Sequence, residues 1–276
     1  MNLSTNIYGG VIMDLITHMK YERTGKVRGI YWLFQINMAF NSNKIEGSQL
    51  SQEQTQHLFD EERIYSENGE SISLDDINET INHFKAFDFI LDNVNKEVDI
   101  EMLKQLHYLL KRNTSDERNP LTPVGHFKIK ENVIGSLNPI NTTPPKDVEN
   151  ELAKLLSSYS NLTHIQLEDV VDFHVEFEQI HPFADGNGRV GRLIAFKECL
   201  KNNIIPSIIL DHHRNFYILG LKEYHHGGKE RLLDTFRAGQ DYCEQVLERL
   251  SFEGEINKSV KGMKSVNKEN DKGMER

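Results

Sequence analysis

At 276 residues, with 38% hydrophobic and 27% charged side chains, the chain can bury a full core and has the composition of an ordinary globular protein. A net charge of -10 and a pI near 5.7 argue against unassisted DNA or RNA binding, which needs a dense basic footprint, and leave room only for a local basic patch. Two cysteines, Cys199 and Cys243, without a CxxC or Cys/His cluster make neither a disulfide framework nor a zinc site and suit a reducing cytosol.

The start of the chain, Met1 to Asn6, lacks a basic segment followed by an apolar one, so no signal peptide is expected. No apolar run approaches the ~18 residues of a membrane span. The expectation is a cytoplasmic protein with no membrane partner. Helical spacing then dominates. Ile30, Leu33, Phe34, Ile36, Met38 and Phe40 predict a helix over about 27–45, stopping at Gly47. Ser51 with Gln54 reads as a capping box opening a short helix towards Phe59. Ser73 with Asp76 opens another, carrying Ile77, Ile81, Phe84, Phe87, Ile90 and Leu91. Asp99 caps a helix with Met102, Leu103, Leu106, Leu109 and Leu110, and Pro145 fits the first turn of one with Val148, Leu152, Leu155 and Leu156. Residues 125–135 alternate instead and predict a small β-hairpin. The tail from Gly254 to Arg276 has no apolar stripe, and disorder is the default there. The expected architecture is one mainly α-helical unit: N-terminal helices over 1–50, a catalytic domain over 51–250, and a disordered tail over 251–276.

Chemistry concentrates in His181-Pro182-Phe183-Ala184-Asp185-Gly186-Asn187-Gly188-Arg189-Val190-Gly191-Arg192. Apolar residues at helical spacing flank it: Val170, Phe173, Phe177 and Ile180 before, Leu193, Ile194, Phe196 and Leu200 after. The motif is therefore a loop between two buried helices. Gly186 and Gly188 let successive N–H groups converge, and the next helix adds its positive end, which makes a seat for phosphate. Arg189 and Arg192, three apart, suit a polyphosphate. Asp185 offers a hard oxygen to Mg²⁺ beside that seat. His181, ordinarily titrating near 6.5, can accept a proton. Together these describe phosphoryl or nucleotidyl transfer. Gly186 to Gly191 also spells GxGxxG, but the preceding segment has helical period and not a strand, which excludes the dinucleotide reading. No P-loop is present.

This stretch resembles the signature of the Fic (Fido) family, His-x-Phe-x-Asp/Glu-Gly-Asn-Gly-Arg-x-x-Arg, and the likeness runs from about Ser42 to Leu250. The resemblance implies a helical domain with a hairpin flap, acting as an AMP-transferring enzyme on Ser, Thr or Tyr hydroxyls of target proteins, itself included, with ATP as substrate and Mg²⁺ as cofactor. It implies that His181 is the base, Phe183 a core anchor and Asp185 the metal ligand. Gly186, Asn187 and Gly188 would bind the α- and β-phosphates. Arg189 would stabilise pyrophosphate, Arg192 would orient the γ-phosphate, and Val190 and Gly191 count with the nucleotide-binding stretch. Ile134, Gly135 and Ser136, following the turn of the flap, would count with the nucleotide-binding residues, and the flap at 125–135 would hold the target protein by strand addition; Lys128 stands where relatives often carry Arg. Tyr217 and His225 would lie on the adenine side. Intact glycines favour AMP transfer over phosphorylation.

Ser42-Asn43-Lys44-Ile45-Glu46-Gly47 resembles the family's inhibitory motif, with Ser42, Glu46 and Gly47 at the constrained positions and Glu46 expected to pair with Arg192. Ser265 to Asn270 fits the same short pattern, but only Glu46 ends an amphipathic helix. His212-His213 and His225-His226 lack partners for zinc, and His174-Val175-Glu176 lacks the Pro-Cys-x-x-Cys of a deaminase. Two alternatives stay open: removal of AMP by the same residues, and a non-catalytic nucleotide sensor. A homo-oligomer also stays open.

Overall fold

A computed structural model describes residues 4–66, 69, 71–134, 140–224 and 227–250. The chain is mainly helical. α1 (Ser4–Gly25), α2 (Ile30–Ile45), α3 (Gln52–Glu61), α4 (Leu74–Asp92) and α5 (Ile100–Lys111) lead to a two-stranded sheet, β1 (Val133–Ile134) and β2 (Ile140–Asn141). α6 (Val148–Ser160), α7 (Leu167–Ile180), α8 (Asn187–Lys201) and α9 (Arg214–Tyr224) follow, and residues 230–250 are helical. None of the described helices is long and apolar enough to cross a membrane.

Local signals explain several helix starts. The Ser51 box is closed in both directions, Ser51 Oγ accepting from the Gln54 N–H and Gln54 Oε1 from the Ser51 N–H. Asp99 accepts from the Met102 N–H. The expected Ser73–Asp76 box is not closed. Ser73 accepts from Asp75, while Asp76 accepts from the Gln49 N–H and ties α4 to the chain leaving α2. Pro145 opens a short 3₁₀ turn that precedes α6.

One apolar core joins the first helices to the rest. Met19, Phe34, Phe87, Leu103, Leu106, Leu152, Phe177, Phe183, Leu193 and Phe196 belong to it. The Phe196 ring sits 5.7 Å from Phe34 and 5.2 Å from Phe87. α8 lies at the centre, in contact with α2, α4, α5 and α7. It therefore buries polar as well as apolar residues: Asn187, Arg189, Arg192, Lys197 and Glu198 all lose nearly all exposure. Buried charges demand partners, and those partners define the site below.

The hairpin lies further along the chain than the alternation of 125–135 suggests. The strands pair Val133 with Asn141 and Ile134 with Ile140, antiparallel, and residues 125–132 are irregular. The reason is Lys128, which is 3% exposed. Its N–H donates to Pro182 O at 2.8 Å, and its ammonium donates to Asn132 Oδ1 and Thr142 Oγ1. The Lys128 N–H is thereby spent on the 181–192 loop and is lost to a strand ladder across 125–132. Gly135, Ser136, His225 and the 251–276 tail lie outside the described residues.

Candidate active site

α7 ends at His181, which takes a left-handed conformation (φ 51°, ψ 60°), a sparsely populated region for a residue with a Cβ. The turn aims the imidazole off the helix end into a cavity of about 300 Å³, which Glu46, Glu178, Asp185, Gly186, Gly188, Arg192 and Tyr217 also line. Burial pushes the imidazole down to about 4, so it is neutral at pH 7. Nδ1–H donates to the Glu178 carbonyl at 3.2 Å. A carbonyl only accepts, so the proton sits on Nδ1 and Nε2 keeps its lone pair.

The loop after His181 is locked from beneath. Phe183 is fully buried, and its ring stacks on His107 at 4.1 Å and 5°. His107 Nδ1 accepts from the Gly125 N–H at 2.9 Å, which leaves Nε2–H to donate to Asp185 O at 3.1 Å. Asn187 closes the loop on itself, accepting from the Phe183 N–H and donating to Phe183 O, both at 2.9 Å. Its side chain is thus committed to the loop. Gly186 caps α8 with φ 78°, a conformation that suits glycine. A Cβ at Gly188 would overlap Glu46 Oε1 and stand 2.8 Å from Arg192 Nη1. Gly186, Asn187 and Gly188 line the cavity at the start of α8, where an anion would meet the positive end of the helix.

Arg192 reaches from α8 to α2. Nε donates to Ser42 Oγ at 3.0 Å, and Nη2 donates to Ser42 O at 2.9 Å and to Glu46 Oε1 at 2.7 Å. Burial pushes the Glu46 carboxyl up, but Arg192 and Arg189 outweigh it and hold the group below its usual range. Gly47 ends α2 with φ 106°. Arg214 Nε donates to Ile45 O at 2.7 Å and fixes the same helix end from α9.

Asp185 is about half exposed, at 53% of its side chain, and lines the cavity. Burial would raise its pKa, but Arg189 and Lys111 keep it well below the carboxylate range. A half-exposed, permanently ionised oxygen donor beside an anion seat fits Mg²⁺. Arg189 itself does not line the cavity. It is 2% exposed, with Nη2 3.1 Å from Asp185 Oδ2 and Nη1 2.5 Å from Glu79 Oε2. Val190 and Gly191, expected to bind nucleotide, do not either. Val190 is fully buried in the core, and a Cβ on Gly191 would stand 2.9 Å from His174 Nδ1 and 3.0 Å from Glu178 Oε1. Both lie in the first turns of a helix that is buried almost from its start.

Tyr217 lines the cavity, but its hydroxyl is held by His174 Nε2 at 2.7 Å, and its ring lies 5.6 Å from the Arg192 guanidinium. His174 supports the site and touches no solvent. Ile45, Ile134, Ile218 and Leu221 supply apolar wall. Sequence reading missed Glu178, Lys111, Glu79 and Asp116. Glu178 stands three before His181 on one helix, a spacing that could have flagged it. Lys111 and Glu79 lie 74 and 106 positions before Asp185, and no local pattern links them.

Residues 97–198 match the model of the Fic/DOC family. Among curated proteins, the chain is 23% identical over 204 residues to the protein adenylyltransferase fic-1 of Caenorhabditis elegans, covering 72% of this chain and 38% of that protein. It is 27% identical over 136 residues to a probable protein adenylyltransferase of Aquifex aeolicus, covering 49% and 41%. The chain thus spans less than half the length of these relatives. Among solved structures, a Fic domain containing signaling protein from Bacteroides thetaiotaomicron superposes with a TM-score of 0.65 at 18% identity, covering 88% of this chain and 94% of that one. Fic-1 of C. elegans gives 0.64 at 18% identity, covering 90% and 73%. The helical bundle with its central loop is a Fic fold. Residues 97–198 thus resemble the Fic/DOC family.

Proposed function

We propose that the chain is a protein adenylyltransferase that transfers AMP from ATP to a hydroxyl of a target protein and is restrained by Glu46. The observation that supports this best is the convergence of His181, Asp185, Arg192 and residues 186–188 on one cavity. ATP would place its phosphates against those residues, with Arg192 on the γ-phosphate once Glu46 yields it. His181 Nε2 would take the proton as the target oxygen bonds to the α-phosphorus. The bond from that phosphorus to the bridging oxygen breaks, and pyrophosphate leaves. Asp185 would hold Mg²⁺, which when bound neutralises phosphate charge.

Glu46 fits an inhibitory role because it already occupies the guanidinium that a γ-phosphate needs. The target segment would lie along the β1–β2 hairpin, whose Val133 is exposed, by strand addition. The test is intact mass after incubation with ATP and Mg²⁺. The Glu46→Gly protein should gain the mass of AMP, and Glu46→Gly/His181→Ala should not. Absence of any adduct on Glu46→Gly itself and on proteins of a lysate would sink the proposal.

A further inference from the structure

Behind Asp185, on the side away from the cavity, Glu79 of α4, Asp116 and Asp185 bring one carboxylate oxygen each within 4.8 Å of one another. By composition this trio could be taken for a metal cage. It already contains a cation. Lys111, the last residue of α5, places its ammonium 2.5 Å from Glu79 Oε1, 2.5 Å from Asp116 Oδ2 and 2.6 Å from Asp185 Oδ2. The lysine is 3% exposed. A burial that complete is costly for an ammonium without partners of opposite charge. Arg189 closes the group by joining Glu79 to Asp185. Three carboxylates thus face two cations in a closed network, and only Asp185 also reaches the cavity.

We propose that Lys111 is a positioning residue for Asp185, an internal counter-ion that fixes Oδ2 of that carboxylate and denies the trio behind it to a divalent cation. A metal then meets Asp185 only from the nucleotide side. The inference rests on the reading of Asp185 as a metal ligand. A point charge with three tetrahedral donors suits three separate carboxylates better than a planar guanidinium would. Glu79 serves both cations, so it sets the spacing between Lys111 and Arg189 and thereby the orientation of the Asp185 carboxyl plane.

The test uses nucleotide-free protein, melted with and without millimolar Mn²⁺. Wild type should shift by under about 1 °C, and Lys111→Met by about 4 °C or more, because removal of the ammonium leaves three carboxylates able to bind the ion. Adding Asp116→Asn to Lys111→Met should reduce that gain. In the Glu46→Gly background, Lys111→Met should also move the Mg²⁺ concentration that half-saturates AMP transfer by about tenfold or more, as expected when a ligand loses its outer support. Should Lys111→Met fail to fold, Lys111→Gln, which removes the charge but keeps a polar donor and all three carboxylates, takes its place under the same criteria. Equal Mn²⁺ shifts in variant and wild type would overturn the proposal. A gain of Mn²⁺ binding without AMP transfer by any variant would instead strike the proposed function and leave the role of Lys111 standing.

Discussion

Arg192 Nη2 and Glu46 Oε1 lie 2.7 Å apart across 146 positions of sequence, and the same guanidinium holds both polar atoms of Ser42 that face it. Arg192 is therefore fully engaged with α2 on one edge, while Nη1 has no partner. A phosphate and the Glu46 carboxylate would compete for this fork. Glu46→Gly should tighten ATP–Mg²⁺ binding by about 5- to 150-fold, the usual range for coupling between competing contacts, as read by calorimetry. Unchanged affinity would remove the competition.

Acid should not relieve that competition near neutrality. The Glu46 carboxyl sits below its usual range, so its ion pair is complete above the ordinary carboxylate pKa and fades only as pH falls through the lowered one. The ratio of Glu46→Gly to wild-type ATP affinity, which cancels the groups common to both proteins, is expected to stay flat between about pH 6 and 8. A fall in that ratio at pH 6 would contradict the ionisation assigned to Glu46.

His181 gives a different profile. Its imidazole is pushed down from 6.5 to about 4 by burial, so the unfolded chain binds the extra proton first as pH falls. Its contribution to stability is present above 6.5 and is lost as pH drops towards about 4. Transfer by Glu46→Gly should likewise persist at pH 6 and fail only on approach to about 4. His181→Ala should lower its rate by about 10²- to 10⁴-fold. A pH–rate curve breaking near 6.5 would show that the ring is not desolvated.

Gly188→Ala should separate the proposed phosphate seat from the proposed inhibition by Glu46. The added methyl would overlap Glu46 Oε1 and crowd Arg192 Nη1 at 2.8 Å, in the first turn of α8. In the Glu46→Gly background the carboxylate is gone, yet the methyl still projects towards the cavity. The double variant is expected to bind ATP more weakly than Glu46→Gly alone. Equal binding would place the phosphates elsewhere.

Two phenylalanines should be alike in stability and unlike in function. Phe183→Ala and Phe196→Ala each empty a fully or almost fully buried site, at a cost of about 3–5 kcal/mol by denaturant unfolding. Phe183 also carries the loop on His107, so folded Phe183→Ala should lose ATP binding, whereas folded Phe196→Ala should keep it.

Much of this architecture could be read from the chain, because its signals are local. The Ser51 box, the Asp99 cap and the stripes of α4 and α5 concern residues within a turn or two of one another. The loop at 181–192 was legible for the same reason. What escaped was set by tertiary contact. Residues 125–135 alternate like a hairpin, but Lys128 binds Pro182 instead, and the strands form only from Val133 onward. Val190 and Gly191 sit inside a functional motif and yet face inward, since α8 runs through the centre of the bundle. Arg189 was expected at the leaving group and is found paired to Glu79, a partner on another helix that no motif names.

The order of the residues along the chain has a temporal side. Synthesis runs from the N-terminus, so the glutamate of α2 has left the ribosome well before the loop it faces is translated. No growing intermediate can own a finished 181–192 loop without already carrying the carboxylate that pairs with Arg192.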